Sequence, residues 1–212
     1  IDVWGADHHG YIPRMKAAIS CMKHDPENDF HVVLIQLVNL MRGGEPVAMS
    51  TRSGEFVTLR DVLDEVGTDA ARFMFLSRKS DTPLDFDFEI VKQRNMDNPV
   101  YYVQYAHARI CAVLRRAEEM GFMLPPCNSR SLCYDTLNRS EELALLREIE
   151  RFRNVILDAS AARAAHSITY YLIDLASLLH SYYAHSSILK NTDTDTVLAR
   201  LALLRAVRTV IA

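Results

Sequence analysis

From Asn98 to the end of the chain, apolar residues recur at intervals of three and four. Leu143, Leu146, Ile149, Phe152 and Ile156 make one series, Ile168, Leu172, Leu175, Leu179 and Tyr182 a second, and Leu198, Leu201, Leu204, Val207 and Ile211 a third. A helix of 3.6 residues per turn places each series on a single stripe. Ahead of them, Asn98-Pro99 reads as a helix start. Asn accepts a hydrogen bond from an orphan N–H, and Pro fits the first helical position because the N–H it lacks has no partner there. That first helix runs to Met120, with Gly121 as its stop. Four amphipathic helices can hide their stripes against one another, so the pattern predicts a helical bundle over residues 98–212.

Residues 1–97 follow a different pattern, in which strand-like and helix-like pieces alternate. Ile1 to Trp4 reads as a short strand, and a helix follows from about Ile12 to Lys23. His31 to Leu40 is β-branched and apolar, the pattern of one buried strand. Gly43-Gly44 is a turn signal, with Pro46 to Met49 as a returning hairpin arm. Thr58 can cap a helix that stops at Gly67, Thr68 can cap another through about Arg78, and a short helix lies around Asp87 to Arg94. The expected fold is therefore mostly α with an α/β portion, in two domains, 1–97 and 98–212.

Charge is unevenly shared. Residues 1–97 hold eleven Lys and Arg against sixteen Asp and Glu, whereas residues 98–212 hold thirteen against eleven, and twelve of those thirteen cations are Arg. Arg suits bidentate contacts with phosphate and bases, so the second half permits RNA binding; surface salt bridges are the plainer use of the same residues. The four cysteines, Cys21, Cys111, Cys127 and Cys133, form no CxxC pair, which argues against structural zinc. No apolar run is long enough for a membrane helix, and no basic segment precedes Ile1 as in a signal peptide, so a cytoplasmic location is expected. Ile1 in place of Met suggests an excised segment.

Three segments carry candidate chemistry. Gly5-Ala6-Asp7-His8-His9-Gly10-Tyr11 follows a strand, where α/β sheets bind ligands; a phosphate or nucleotide site and a plain turn both fit it. Pro46 to Thr58 (PVAMSTRSGEFVT) can fold over a polyphosphate through backbone N–H groups, hydroxyls and Arg52, or can be an exposed turn. Asn98 to Arg109 (NPVYYVQYAHAR) sets Tyr102, Tyr105 and Arg109 along one helical face and Tyr101, Gln104 and Ala108 along another. Such residues can stack on RNA bases and contact phosphates, or can pack the bundle.

In this order the three segments resemble class I arginyl-tRNA synthetases of the bacterial type. In that family a GADHHGY stretch lies late in the Rossmann domain. A loop equivalent to KMSKS comes next, and an NPVYYVQYAHAR helix then opens the anticodon-binding domain. The resemblance covers nearly the whole chain and extends to FVTLRDVLDEVGTDAARFMFLSRKSDTPLDFD. It implies an arginine–tRNA ligase: ATP, with Mg2+, activates L-arginine to arginyl-adenylate, and arginine passes to the terminal adenosine of tRNA-Arg. No tightly bound cofactor, resident metal, DNA or membrane partner is implied. By the same resemblance Gly5, Asp7 and His8 line the ATP site, and Gln36, Leu37 and Val38 lie near the adenine. Met49, Ser50, Thr51 and Arg52 close over the triphosphate. Tyr102, Gln104, Tyr105, His107 and Arg109 face the tRNA, and Tyr182 and Tyr183 match an aromatic pair in the bundle.

The sequence departs from the family in two ways. Ala48 and Thr51 stand at the two lysine positions of KMSKS, and no HIGH-type sequence or arginine pocket occurs. These residues by themselves are therefore expected to be catalytically silent. Two alternatives remain, a non-catalytic tRNA-binding module and a cysteine or methionine synthetase of the same class. The helix after Asn98 argues against the second.

Overall fold

The computed structural model describes residues 1–47, 56–126, 132–190 and 193–212. It divides into two compact units, Ile1–Gln93 with Ala164–His166, and Arg94–Arg163 with Ser167–Ala212.

In the first unit β1 (Asp2–Gly5) leads through a 3-10 turn, Ala6–Tyr11, into α1 (Ile12–Cys21) and the single-turn α2 (Pro26–Asp29). The chain returns as β2 (Val32–Ile35), parallel to β1, in a register that runs from Asp2 opposite Val32 to Gly5 opposite Ile35. Next, β3 (Val38–Arg42) turns at Gly43-Gly44 into the antiparallel β4 (Glu45–Pro46) and pairs in parallel with β5 (Leu84–Asp87). The turn needs glycine, because φ is +62° at Gly43 and +85° at Gly44. The single buried strand expected over His31–Leu40 is thus two strands in two sheets, and Ile35 and Leu37 are exposed. Its β-branched residues favour extended backbone without choosing a partner. The Gln36 N–H turns to the Ser80 carbonyl at 2.8 Å, and the ladder passes from β1 to β5.

Two helices link β4 to β5. In α3 (Leu59–Val66), Thr58 and Asp61 cap each other's backbone N–H, and the helix ends at Gly67, φ +84°. The following α4 (Thr68–Leu76) has Gly67 at its N-cap rather than Thr68, and it stops short of Arg78. After β5, α5 (Phe88–Lys92) is capped by Asp87. The Asp87 carboxylate also accepts the N–H groups of Gly43 and Gly44 at 3.1 and 2.7 Å, so one buried side chain holds a helix start and a hairpin turn. The core gathers Val62, Ala71, Leu84, Phe86, Phe88 and Val91.

Over that core lies an ion network. Arg42 grips Glu65 with two bonds of 2.7 and 2.8 Å and reaches Glu89 at 3.2 Å, while Lys92 contacts both carboxylates. Hydrogen bonds from Arg42 and then Lys92 hold the Glu65 carboxyl at about 2, below its usual 4.5. A carboxyl lowered by folding stabilises above its unfolded value and loses that contribution as pH falls through the folded one. Thermal midpoints should therefore decline between about pH 4.5 and 2, and Glu65→Gln should flatten part of that decline. Identical acid profiles for the two proteins would refute the assignment.

Among the described residues the second unit is built on four α-helices: α6 (Pro99–Glu119), α7 (Ser140–Ala162), α8 (His166–His185) and α9 (Thr194–Ile211). Helix α9 packs on α6 and α7. The expected stripes of α8 and α9 are buried at Leu175, Leu179 and Tyr182, and at Leu201, Leu204 and Val207. The stripe of α7 is out of phase. Leu143, Leu146 and Ile156 are exposed, and the buried positions are Glu142, Leu145 and Ala159. A charged residue holds a core position because its charge is paired within the bundle: Arg200 Nε donates to Glu142 Oε1 at 2.7 Å. Tyr171 is buried as well. Its hydroxyl donates to the Glu148 carbonyl at 2.8 Å, and burial pushes it up to about 12. Among the described residues no helix is long and apolar enough to cross a membrane.

Candidate nucleic-acid interface

Helix α6 buries Val100, Val103, Ala106, Ile110, Leu114 and Ala117, a stripe spaced by threes and fours. The Asn98 side chain fixes its start by accepting the Val100 N–H at 3.0 Å. Once that stripe is inside, Tyr101, Tyr102, Gln104, Tyr105, His107 and Arg109 lie off the core, half-buried or exposed.

These side chains form an aromatic ladder with α8. Tyr101 and Tyr105, one turn apart, stack at 5.9 Å between centroids with planes 10° apart. Tyr105 in turn stacks on His180 at 5.6 Å, and Tyr102 meets the His180 edge at 4.6 Å. The His180 Nε2 lies 3.4 Å from the Tyr102 carbonyl, which can only accept, so Nε2 carries the proton. Burial lowers the His180 pKa from its usual 6.5, and the ring is neutral at pH 7. The charge on this face comes from Arg109, whose guanidinium carbon sits 4.3 Å from the centre of the Tyr183 ring. Among the described residues no carboxylate forms an ion pair with Arg109. A guanidinium seated over an aromatic ring can keep N–H donors available for phosphate or a base edge. Tyr105 is 39% exposed, enough for its ring to meet a base. His107 contacts the Cys111 sulfur at 3.8 Å, and Gln104 is exposed.

Tyr182 does not belong to this face. It is fully buried, donates its hydroxyl to Glu142 at 3.0 Å, and cannot reach RNA in this arrangement. Neighbouring side chains on a helix point about 100° apart, so Tyr182 faces the core while Tyr183 faces α6. Tyr101 and His180 join the face beyond the residues that the family resemblance implies. Their signal was present, since Tyr101 lies one turn before Tyr105 and His180 one turn before Tyr183.

In the first unit, parallel pairing brings the carboxyl ends of β1 and β2 to one edge, with Gly5 opposite Ile35. Gly5 ends one strand and Asp7 and His8 follow it, while Gln36 and Leu37 follow the other. Open α/β sheets take ligands at such an edge. Asp7 and His8 are exposed, with His8 Nε2 3.6 Å from Asp7 Oδ2. A side chain at Gly5 would meet Asp7 Oδ1 at 2.5 Å. Val38 already belongs to β3, the Gln36 N–H is bonded to Ser80, and the Leu37 carbonyl accepts the Leu84 N–H at 3.3 Å. Those two backbone groups are thus engaged within the fold. Met49, Ser50, Thr51 and Arg52 lie outside the described residues. Among the described residues no group of three His, Cys, Asp or Glu is placed to hold a metal.

A family model described as the DALR anticodon binding domain matches residues 103–212, more than half of the chain. The chain belongs to the DALR anticodon-binding family. The matched stretch of this DALR chain contains most of the α6 face and all of α7, α8 and α9. Among curated relatives, the arginine–tRNA ligase of Desulfovibrio desulfuricans is 60% identical over 211 residues, and that of Lawsonia intracellularis 54% over 211. Each alignment covers 100% of the DALR chain and 38% of the relative, so the chain spans well under half of their length. A solved arginyl-tRNA synthetase of Campylobacter jejuni is 37% identical with a TM-score of 0.83, over 99% of this chain and 44% of that one. The Thermus thermophilus arginyl-tRNA synthetase, 21% identical with a TM-score of 0.72 over 99% and 38%, shares the fold.

Proposed function

We propose that this chain works as part of an arginine–tRNA ligase and that α6 and α8 form its tRNA-contacting face. The observation that carries the reading is the Tyr101–Tyr105–His180 ladder beside Arg109 on Tyr183. Exposed rings stack on bases with little regard to sequence, and an unpaired guanidinium meets phosphate. Tyr102, Gln104, His107 and Tyr183 complete the face, and tRNA-Arg is its partner. Residues 1–97 belong to a class I Rossmann catalytic domain. Gly5, Asp7 and His8 approach ATP there, and Met49 to Arg52 close on its phosphates. Mg2+ arrives with ATP as part of the substrate. ATP activates the L-arginine carboxylate with release of pyrophosphate, and the terminal adenosine of tRNA-Arg then takes the arginyl group. We place this work in the cytoplasm.

The test is Arg109→Ala, with tRNA-Arg binding to the chain measured over a salt series. Affinity should fall about fivefold and the salt slope should drop by about one. An unchanged dissociation constant and slope, with helical content intact, would remove Arg109 from the interface.

A further inference from the structure

We infer that Glu142, acting through Tyr182, positions the Tyr183–Arg109 pair; its importance for RNA rests on the reading just given. Glu142 is fully buried near the start of α7, and its carboxylate is the meeting point of three helices. Its Oε1 accepts Arg200 Nε of α9 at 2.7 Å and the Tyr182 hydroxyl of α8 at 3.0 Å. Its Oε2 accepts the Arg139 N–H at 3.2 Å, and Arg139 Nη1 donates to Ser186, the residue just past α8, at 2.9 Å.

The RNA-facing side chains of α8 are held by ring contacts rather than by strong hydrogen bonds. Among the described residues the buried Tyr183 hydroxyl and His180 Nδ1 have no hydrogen-bond partner. The one bond of the His180 ring is long, at 3.4 Å. Tyr183 therefore lies against Arg109 because of where the α8 backbone puts it. A helix is located by its rotation and its axial shift, and a fixed hydroxyl on one buried residue constrains both. Tyr182 is that residue, next in sequence to Tyr183. A buried ion pair is often replaceable by apolar groups without loss of stability, so its use here is geometric: it specifies one setting of α8.

The test separates positioning from binding. The Arg109 guanidinium carbon lies over the Tyr183 ring at 4.3 Å, so the adjoining Nε–H proton should carry an upfield ring-current shift, measured against Tyr183→Leu. In Tyr182→Phe, which loses only the hydroxyl, that resonance should move toward its Tyr183→Leu position, and tRNA-Arg affinity should fall about fivefold. In the Arg109→Ala background the same substitution should change affinity no further. A companion, Glu142→Met with Arg200→Met, leaves Tyr182 without its acceptor in an apolar core and should move the resonance the same way. Glu142→Gln, which keeps an acceptor, should leave it in place. If the resonance stays put in Tyr182→Phe and in the companion, the positioning role is overturned whatever RNA does. Equal losses of affinity with and without Arg109 would also overturn it. If the resonance moves while affinity holds, positioning stands and the RNA reading fails.

Discussion

Arg200→Met should destabilise the helical unit by about 3 to 5 kcal/mol, among the largest losses available to one substitution in this chain. Arg200 is 5% exposed and Glu142 is 0% exposed. Their attraction offsets the cost of taking both charges out of water. Removing the cation leaves a carboxylate in the core, where among the described residues the Tyr182 hydroxyl and the Arg139 N–H still donate to it. For a unit of this size, the thermal midpoint should drop by about 15 °C. The double change Glu142→Met with Arg200→Met removes both charges and should recover part of that loss, falling short of the parent by about 1 to 3 kcal/mol because the buried Tyr182 hydroxyl is left without its acceptor. Denaturant midpoints of the three proteins decide the matter. A double variant as weak as the single one would show that shape complementarity, not charge compensation, makes this pair necessary.

Much of the second unit is legible in sequence because its signals are local. Asn98-Pro99 starts α6 where it should, and Asp193 caps α9 by accepting the Thr196 N–H at 3.0 Å. Phase is harder to read than existence. The rhythm Leu143, Leu146, Ile149, Phe152 and Ile156 is real, yet the buried face of α7 is rotated toward Glu142 and Leu145. A pattern that scores apolar residues as inside cannot anticipate a buried Glu whose partner lies fifty-eight positions away. The same limit applies to β2 and β3. An apolar run announces extended backbone, while the hydrogen bond of Gln36 to Ser80, which divides it, is a long-range fact.

The candidate site divides along the same line. Helical spacing alone joined Tyr102, Tyr105 and Arg109. It could not separate Tyr182 from Tyr183, two identical neighbours with opposite duties, because the choice depends on Glu142 across the bundle. In the first unit, the position of Gly5, Asp7 and His8 after a strand was readable. That Gln36 and Leu37 share their edge follows from the parallel register of β1 and β2, which no local signal contains.

Phe86→Ala should have an effect on the first unit as large as that of Arg200→Met on the second, about 3 to 5 kcal/mol. Phe86 is 0% exposed, stacked on Phe75 at 5.1 Å and edge-on to Phe88 at 5.5 Å. It sits in the middle of β5, where alternation sends Leu84 and Phe86 to the core and leaves Asp85 outside, bonded to Asn39 of β3 at 2.8 Å. Deleting the ring forfeits its transfer energy and opens a cavity between two aromatics that cannot both close it. The damage should spread along the chain, since Asp87, next in sequence, holds the Gly43-Gly44 turn and the start of α5. Amide exchange should therefore quicken at Gly43, Gly44 and Glu89 as well as in β5. Phe86→Leu keeps most of the volume and should lose roughly 1 to 2 kcal/mol. An alanine variant that loses as little as the leucine one would mean that Phe75 and Phe88 collapse into the space, and that the β3–β5 ladder is held by its backbone bonds and the Asp87 caps rather than by its aromatic core.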